Sequence, residues 1–323
     1  MKKQNKKLLK VFGGIVLSLS SIYAINRIIF FLATLKEKLY SNSGKFYNHS
    51  AGKIYYTKTG SGSPLLLIHD LNSASSDYEW NEIVKKFSKN HTVYTLDLLG
   101  CGRSDKPKIT YTSYLYVKLI SDFVKEIICD KTDVIVTGDA AALLIMSNTM
   151  HSNLFQHIIL VNPADFSKVN RYPCKLDTYK KKVLEMPIIG TAIYNLYHSR
   201  AVIQSKFHSD YIFDNQTSIL KYVTRYFEAA HLKGSASKYL YASKECKYLG
   251  CNAPKGFSSI QTPICVIFGD MMNYTAEFSN LVTTLNPSVE VSIMKNTKYL
   301  PHIEKPEEFV TICDTFFFEG TLD

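Results

Sequence analysis

Short, wholly apolar runs separated by amphipathic stretches set the pattern of this chain. Leu65-Leu-Leu-Ile68 follows the turn residues Gly60-Ser-Gly-Ser-Pro64 and gives way to His69 and Asp70. A run of that length between turn signals predicts a strand buried on both faces. Lys53 to Thr57, Thr92 to Asp97, Asp133 to Thr137, His157 to Val161, Pro263 to Phe268 and Val289 to Met294 read as further strands. Between them apolar residues recur at helical spacing. Trp80, Ile83 and Phe87 share one face of a helix starting near Ser76, and Leu115, Leu119, Phe123 and Ile127 share a face of the next. Further helices are predicted through Leu143 to Met146, from about Ala276 to Thr284, and at the end with Phe309, Ile312 and Phe316. Strands too apolar to have a wet face, alternating with helices, predict an α/β domain with a mostly parallel sheet covered on both sides.

From residue 167 to 256 the strand pattern stops. Leu220, Val223 and Phe227 keep helical spacing there, so this segment reads as a helical lid inserted into a single core made of residues 41–166 and 257–323. Residues 1–40 differ from both. Lys2, Lys3, Lys6, Lys7 and Lys10 precede an apolar run from Val11 to Ile25, which resumes as Ile28 to Leu35 after Asn26 and Arg27. A charged leader before an apolar stretch of about twenty residues is the length and flank of a membrane anchor. A secretory signal cleaved near Ala24, or a buried core helix, are the competing readings. The anchor is favoured because Ile22-Tyr23-Ala24 is a poor small-x-small cleavage site and the apolar character continues past it. The lysines predict a single pass with the N-terminus inside and the domain outside.

The net charge of +10 is unevenly spread. Residues 167–255 hold 15 Lys and Arg against 6 Asp and Glu, whereas residues 256–323 hold 3 against 9. The basic insertion suits anionic headgroups or an acidic partner surface, with a plain solvated lysine surface as the bland reading. No basic helix or aromatic-basic motif of a nucleic-acid module occurs. The 7 cysteines form no CxxC pair, so neither a metal site nor a disulfide framework is implied, and no cofactor motif is found. Only Cys246 and Cys251 are close enough in sequence to suggest a pair. Asn48, Asn215 and Asn273 each open an Asn-x-Ser/Thr triplet.

Four stretches then carry a family resemblance. Leu-Leu-Leu-Ile-His69-Asp70, the turn Asp97-Leu-Leu-Gly100-Cys-Gly102-Arg-Ser104-Asp-Lys-Pro107, the strand Pro263 to Gly269 and the segment Leu300-Pro-His302-Ile-Glu-Lys-Pro306 together resemble lid-bearing, esterase- and lipase-like α/β-hydrolases from about residue 46 onward. The resemblance implies a serine on a sharp strand-to-helix turn, a histidine base, an orienting carboxylate and an oxyanion hole. Laid on that pattern, Gly138-Asp139-Ala140-Ala141-Ala142 puts Ala140 at the nucleophile, Gly269-Asp270-Met271-Met272 puts Met272 at the acid, and Asn296 to His302 puts Tyr299 at the base. Leu71 and Ala141 fall at the oxyanion-hole positions, and the expected His-Gly pair is His69-Asp70. All three triad positions are vacant.

The fallbacks are Asp139 as nucleophile, Asp270 or Asp165 as acid and His302 as base, with Cys101 a turn thiol and His231 a packed or surface histidine. A pocket lined by His69, Asp70, Asp139, Ala140, Met272 and Tyr299 would suit a lipid-like ligand. The expectation is therefore a membrane-anchored, catalytically degenerate binding module. An active esterase using displaced residues is the alternative, and a structural partner of another membrane protein through the basic lid is a third.

Overall fold

The computed structural model describes residues 2–41, 43–214 and 218–319. The triplet at Asn215 lies outside the described residues. Eight strands, β1 (Lys45–His49), β2 (Gly52–Thr59), β3 (Ser63–Ile68), β4 (His91–Leu96), β5 (Thr132–Thr137), β6 (Phe155–Val161), β7 (Ile264–Gly269) and β8 (Glu290–Met294), form one sheet in the order β1-β2-β4-β3-β5-β6-β7-β8. β1 with β2 and β2 with β4 are antiparallel, and every other pair is parallel. β1 is absent from the sequence reading. Its Lys45-Phe-Tyr-Asn-His49 buries only Tyr47 and His49 and sits at the sheet edge, where polar residues face water.

The helices are α1 (Lys2–Thr34), α2 (Asn81–Phe87), α3 (Ser113–Phe123), α4 (Ala140–Met150), α5 (Phe166–Val169), α6 (Lys175–Glu185), α7 (Ile189–Tyr197), α8 (Arg200–Lys206), α9 (Leu220–His231), α10 (Lys238–Glu245), α11 (Ala253–Ser258), α12 (Thr275–Leu285), α13 (Pro301–Glu304) and α14 (Pro306–Glu319). A short tight turn of helix, Asp77–Trp80, precedes α2. The apolar runs are uniform because alternate residues serve opposite cores. Leu65, Leu67, Ile135 and Ile159 pack with Ile83 and Phe87 of α2 and Phe309 and Phe316 of α14, and Leu66, Ile68, Val134 and Val136 pack with Leu119 and Phe123 of α3 and Leu143 of α4.

Between β6 and β7 the described residues form the helices α5 to α11. Its last piece, α11, packs on α4 and α5, and Phe257 joins the main core. Cys246 and Cys251 are both buried free thiols. The far half of α1 is docked on this insertion. Asn26 donates to Ile188 O at 3.2 Å and accepts from the Asn195 amide at 2.9 Å, while Phe30 meets the ring of His231 at 5.2 Å. Glu228 of α9 then accepts from the backbone N–H groups of Lys38 and Leu39.

Candidate functional site

The turn from β5 into α4 has its left-handed residue at Gly138, with φ +60°. The motif pattern put the nucleophile position at Ala140, but Ala140 is the first residue of the helix and fully buried. Five small or acidic residues in a row left the register ambiguous by two, and the backbone places the apex where only glycine is unstrained. A β-carbon built on Gly138 would overlap Tyr299 Oη and come within 2.5 Å of Asp70 Oδ1. The apex, the base position Tyr299 and the altered His-Asp loop thus converge on one point, and none of them supplies a nucleophile.

The shift also moves the oxyanion donors. Ala141 N is engaged with Gly138 O at 3.2 Å, so it is not a donor to the site. The N–H that follows the apex belongs to Asp139, and it donates to Asp70 Oδ1 at 2.9 Å. An internal carboxylate therefore holds the donor that would steady a developing oxyanion. Leu71 contributes its carbonyl instead, which accepts from Lys244 Nζ at 2.7 Å.

Lys244 comes from α10 in the insertion and also pairs with Asp139 Oδ2 at 2.5 Å. Burial works against its charge, but Asp139 and Asp70 together hold its pKa above the usual lysine value. Burial pushes the Asp70 carboxyl up to about 6, against the pull of Lys244, and Tyr299 hydrogen-bonds it. Tyr299 stacks on Tyr211 of the insertion with centroids 5.4 Å apart. Nothing in the sequence pointed to Lys244 beyond the basic excess of its segment.

The fallback residues are spoken for. Asp139 has helical backbone, φ −66°, and faces Lys244 rather than a base. Asp270 accepts from Thr297 N at 3.4 Å and lies 3.8 Å from Lys295. His69 donates from Nδ1 to Asp70 O at 2.7 Å and accepts from Leu98 N at Nε2, so both ring nitrogens hold the loop. Cys101 donates to Asn72 O and its thiol is pushed up by burial, away from reactivity. His231 packs on Phe227 with its Nδ1 on Phe227 O. Asp97 of the Gly-Cys-Gly turn is buried and accepts from Arg103 N and Nε at 2.7 Å each, so this motif anchors the loop.

His302 is fully buried, stacked on Trp80 at 4.5 Å, and its Nε2 lies 3.8 Å from Glu79 Oε1. Burial, and then the charge of Asp70, push Glu79 up to about 8, and burial lowers His302 to about 3. Both groups are neutral near pH 7. Glu79 is an acid whose folded pKa exceeds its ordinary 4.5, so it costs stability as pH rises from about 4.5 through about 8. Glu79→Gln keeps an acceptor for Tyr226 Oη and, like the neutral carboxyl, a donor, but it cannot ionise. It is expected to raise Tm at about pH 8 by several degrees and leave it unchanged near pH 4.5. Thermal melts across that range check this, and an unaltered slope would count against a neutral Glu79.

A cavity of about 300 Å³ opens beside the apex, lined by Leu71, Asp139, Leu143, Val169 and Leu249, with Lys168, Arg171, Lys244 and Lys247 among its polar groups. Of the six pocket residues expected from sequence only Asp139 lines it. His69 and Ala140 are buried in the scaffold, Asp70 and Tyr299 plug the apex, and Met272 sits on the loop after β7. Among the described residues no group of His, Cys, Asp and Glu is arranged to hold a metal ion.

No protein-family profile matches the chain. It is 27% identical over 122 residues, 37% of its own length and 42% of the relative's, to a 2-hydroxy-6-oxo-6-(2'-aminophenyl)hexa-2,4-dienoic acid hydrolase of Metapseudomonas resinovorans. It is 31% identical over 83 residues, 26% of the chain and 28% of the relative, to a soluble epoxide hydrolase of Corynebacterium sp. strain C12. The matched stretch spans less than half the length of these curated relatives. Among solved structures, a serine hydrolase involved in carbazole degradation superposes with a TM-score of 0.66 at 20% identity, covering 85% of this chain and 98% of the other. A bacterial membrane phospholipase A superposes with a TM-score of 0.68 at 18% identity, covering 99% of each chain. This chain has the α/β-hydrolase fold.

Proposed function

We propose that this is a membrane-anchored α/β-hydrolase-fold protein that has lost hydrolytic chemistry and binds an apolar, lipid-like ligand. One observation carries the reading: the Asp70 carboxylate takes the Asp139 N–H beside an apex, Gly138, that has no side chain. A carboxylate at that donor opposes any oxyanion, and the side chains nearest the apex are those of Tyr299 and Asp70, neither of them a histidine base. The cavity's apolar walls with Lys168 and Arg171 beside them favour a ligand with an anionic end. The apolar helix Phe12–Thr34 supports the anchor, and the lysines before it support the N-terminus inside with the domain outside. Secretion after cleavage near Ala24 is the alternative.

The full chain in detergent, offered p-nitrophenyl esters of increasing chain length, is expected to match its heat-denatured control. A dansyl-labelled medium-chain carboxylate is expected to bind with Kd of about 1 μM, and Lys168→Glu/Arg171→Glu to weaken it roughly tenfold. Turnover that Asp139→Asn abolishes would replace this reading with the esterase one.

A further inference from the structure

The docked half of α1 sets how deep the domain must sit. The apolar helix runs from Phe12 to Thr34, 23 residues, yet only the part before Asn26 stands clear of the domain. That free part is about 21 Å long, against a hydrocarbon core of about 30 Å. A spanning helix therefore needs its docked half within the bilayer as well. The outward face of that half exposes Ile28, Phe31 and Leu32 although they lie beside packed protein, and its one charge, the exposed Arg27, has a stem long enough to carry the guanidinium toward the headgroups.

The surface next to it is unusual for a soluble domain. Ile188, whose carbonyl holds Asn26, is followed by exposed Ile189, and Asn195, which also holds Asn26, is followed by Leu196 at 68% exposure and exposed Tyr197. On α6 just before, Leu176, Tyr179 and Val183 repeat at helical spacing on one exposed stripe, Leu176 at 75%. Lys175, Lys180 and Lys182 stand exposed beside them. Elsewhere on the domain exposed large apolar residues such as Ile109, Met150 and Ile293 are scattered singly, which is ordinary. Aromatic and aliphatic residues interleaved with lysines form the surface of a helix lying in the headgroup layer of an anionic bilayer.

We infer that the α6–α7 face of the insertion is a second membrane contact, seated on an anionic bilayer beside the point where α1 enters it. The inference rests on the anchor reading of α1. It also brings the cavity to the lipid, because the lining residue Arg171 is followed directly by exposed Tyr172 at the start of this face.

The one native tryptophan, Trp80, is fully buried and gives a constant background, so tryptophans placed on the surface report their own surroundings. The full chain is reconstituted in phosphatidylcholine vesicles with or without phosphatidylglycerol, containing a lipid brominated on its acyl chains. Leu17→Trp reports insertion of α1, Leu196→Trp and Tyr179→Trp report the face, and Met150→Trp is the control. Leu17→Trp, Leu196→Trp and Tyr179→Trp are each expected to lose about half their emission to the bromolipid and Met150→Trp almost none. Quenching at Tyr179→Trp is expected to grow with phosphatidylglycerol and to fall at high salt. Quenching at Leu17→Trp without quenching at Leu196→Trp overturns the second contact and leaves the anchor standing. An unquenched Leu17→Trp overturns both. A blue shift at Leu196→Trp that depends on protein concentration and not on lipid assigns the face to a second copy of this chain and overturns the membrane contact.

Discussion

Gly138→Ser, the substitution that would put a hydroxyl at the apex of the elbow, is expected to destabilise the chain by about 3 to 5 kcal/mol and to confer no hydrolysis. The new β-carbon has nowhere to go, because it overlaps Tyr299 Oη and stands 2.5 Å from Asp70 Oδ1. It also forces a side chain onto φ +60°, which costs about 1 to 2 kcal/mol on its own. The hydroxyl would meet a tyrosine whose pKa burial and then the Asp70 charge raise well above normal, which is no base. Tyr299→Phe removes the atom in closest conflict and is expected to cost only about 1 kcal/mol alone, for the hydrogen bond to Asp70. In the double variant the two penalties are expected to add to less than their sum, by about 1 to 2 kcal/mol. Denaturant unfolding of the four proteins checks this. A Gly138→Ser protein as stable as the parent would mean that Tyr299 and Asp70 do not occupy the apex.

The same site shows what the sequence could and could not disclose. The apolar runs Leu65 to Ile68 and Val134 to Val136 announced strands buried on both faces, since few other arrangements hide every side chain. The turn motifs around Asp97 carried the fold, because its carboxylate and Gly102 serve the backbone and tolerate little change. The residue types at the three aligned positions, Ala140, Met272 and Tyr299, were visible in the sequence. The register of the apex was not, because Gly138, Ala140, Ala141 and Ala142 are all small and the backbone angle that separates them is a property of the packed turn. Glu79 and Lys244 were invisible for a different reason. Charged residues are ordinarily surface residues, and no local pattern marks one that a distant segment buries.

Lys244→Met is expected to be the second costly change, and its cost should depend on pH. Methionine keeps the apolar stem but removes the ammonium that meets Asp139 Oδ2 and Leu71 O. Asp70, buried beside it, then loses the charge that restrains its rise in pKa. Asp139 and Lys244 are each about a third exposed, so the full penalty for splitting a buried pair is reduced by solvent, to about 2 to 3 kcal/mol near pH 7.5. Asp70 already titrates near 6 in the parent, above its ordinary 3.8, so its ionised form costs stability as pH rises through that window. Without Lys244 the window extends upward, and the difference between variant and parent should shrink to about 1 kcal/mol near pH 4, where Asp70 is protonated in both. Asp70→Asn removes the titrating group while the side-chain carbonyl still accepts from Asp139 N. In that background the cost of Lys244→Met at neutral pH is expected to fall by about 1 to 2 kcal/mol. An equal cost with aspartate or asparagine at position 70, or no change with pH, would show that Lys244 serves Asp139 alone. The coupled result would mean that one ammonium from the insertion neutralises the carboxylate that holds the Asp139 N–H, so that the insertion is fastened to the core at the Gly138 turn.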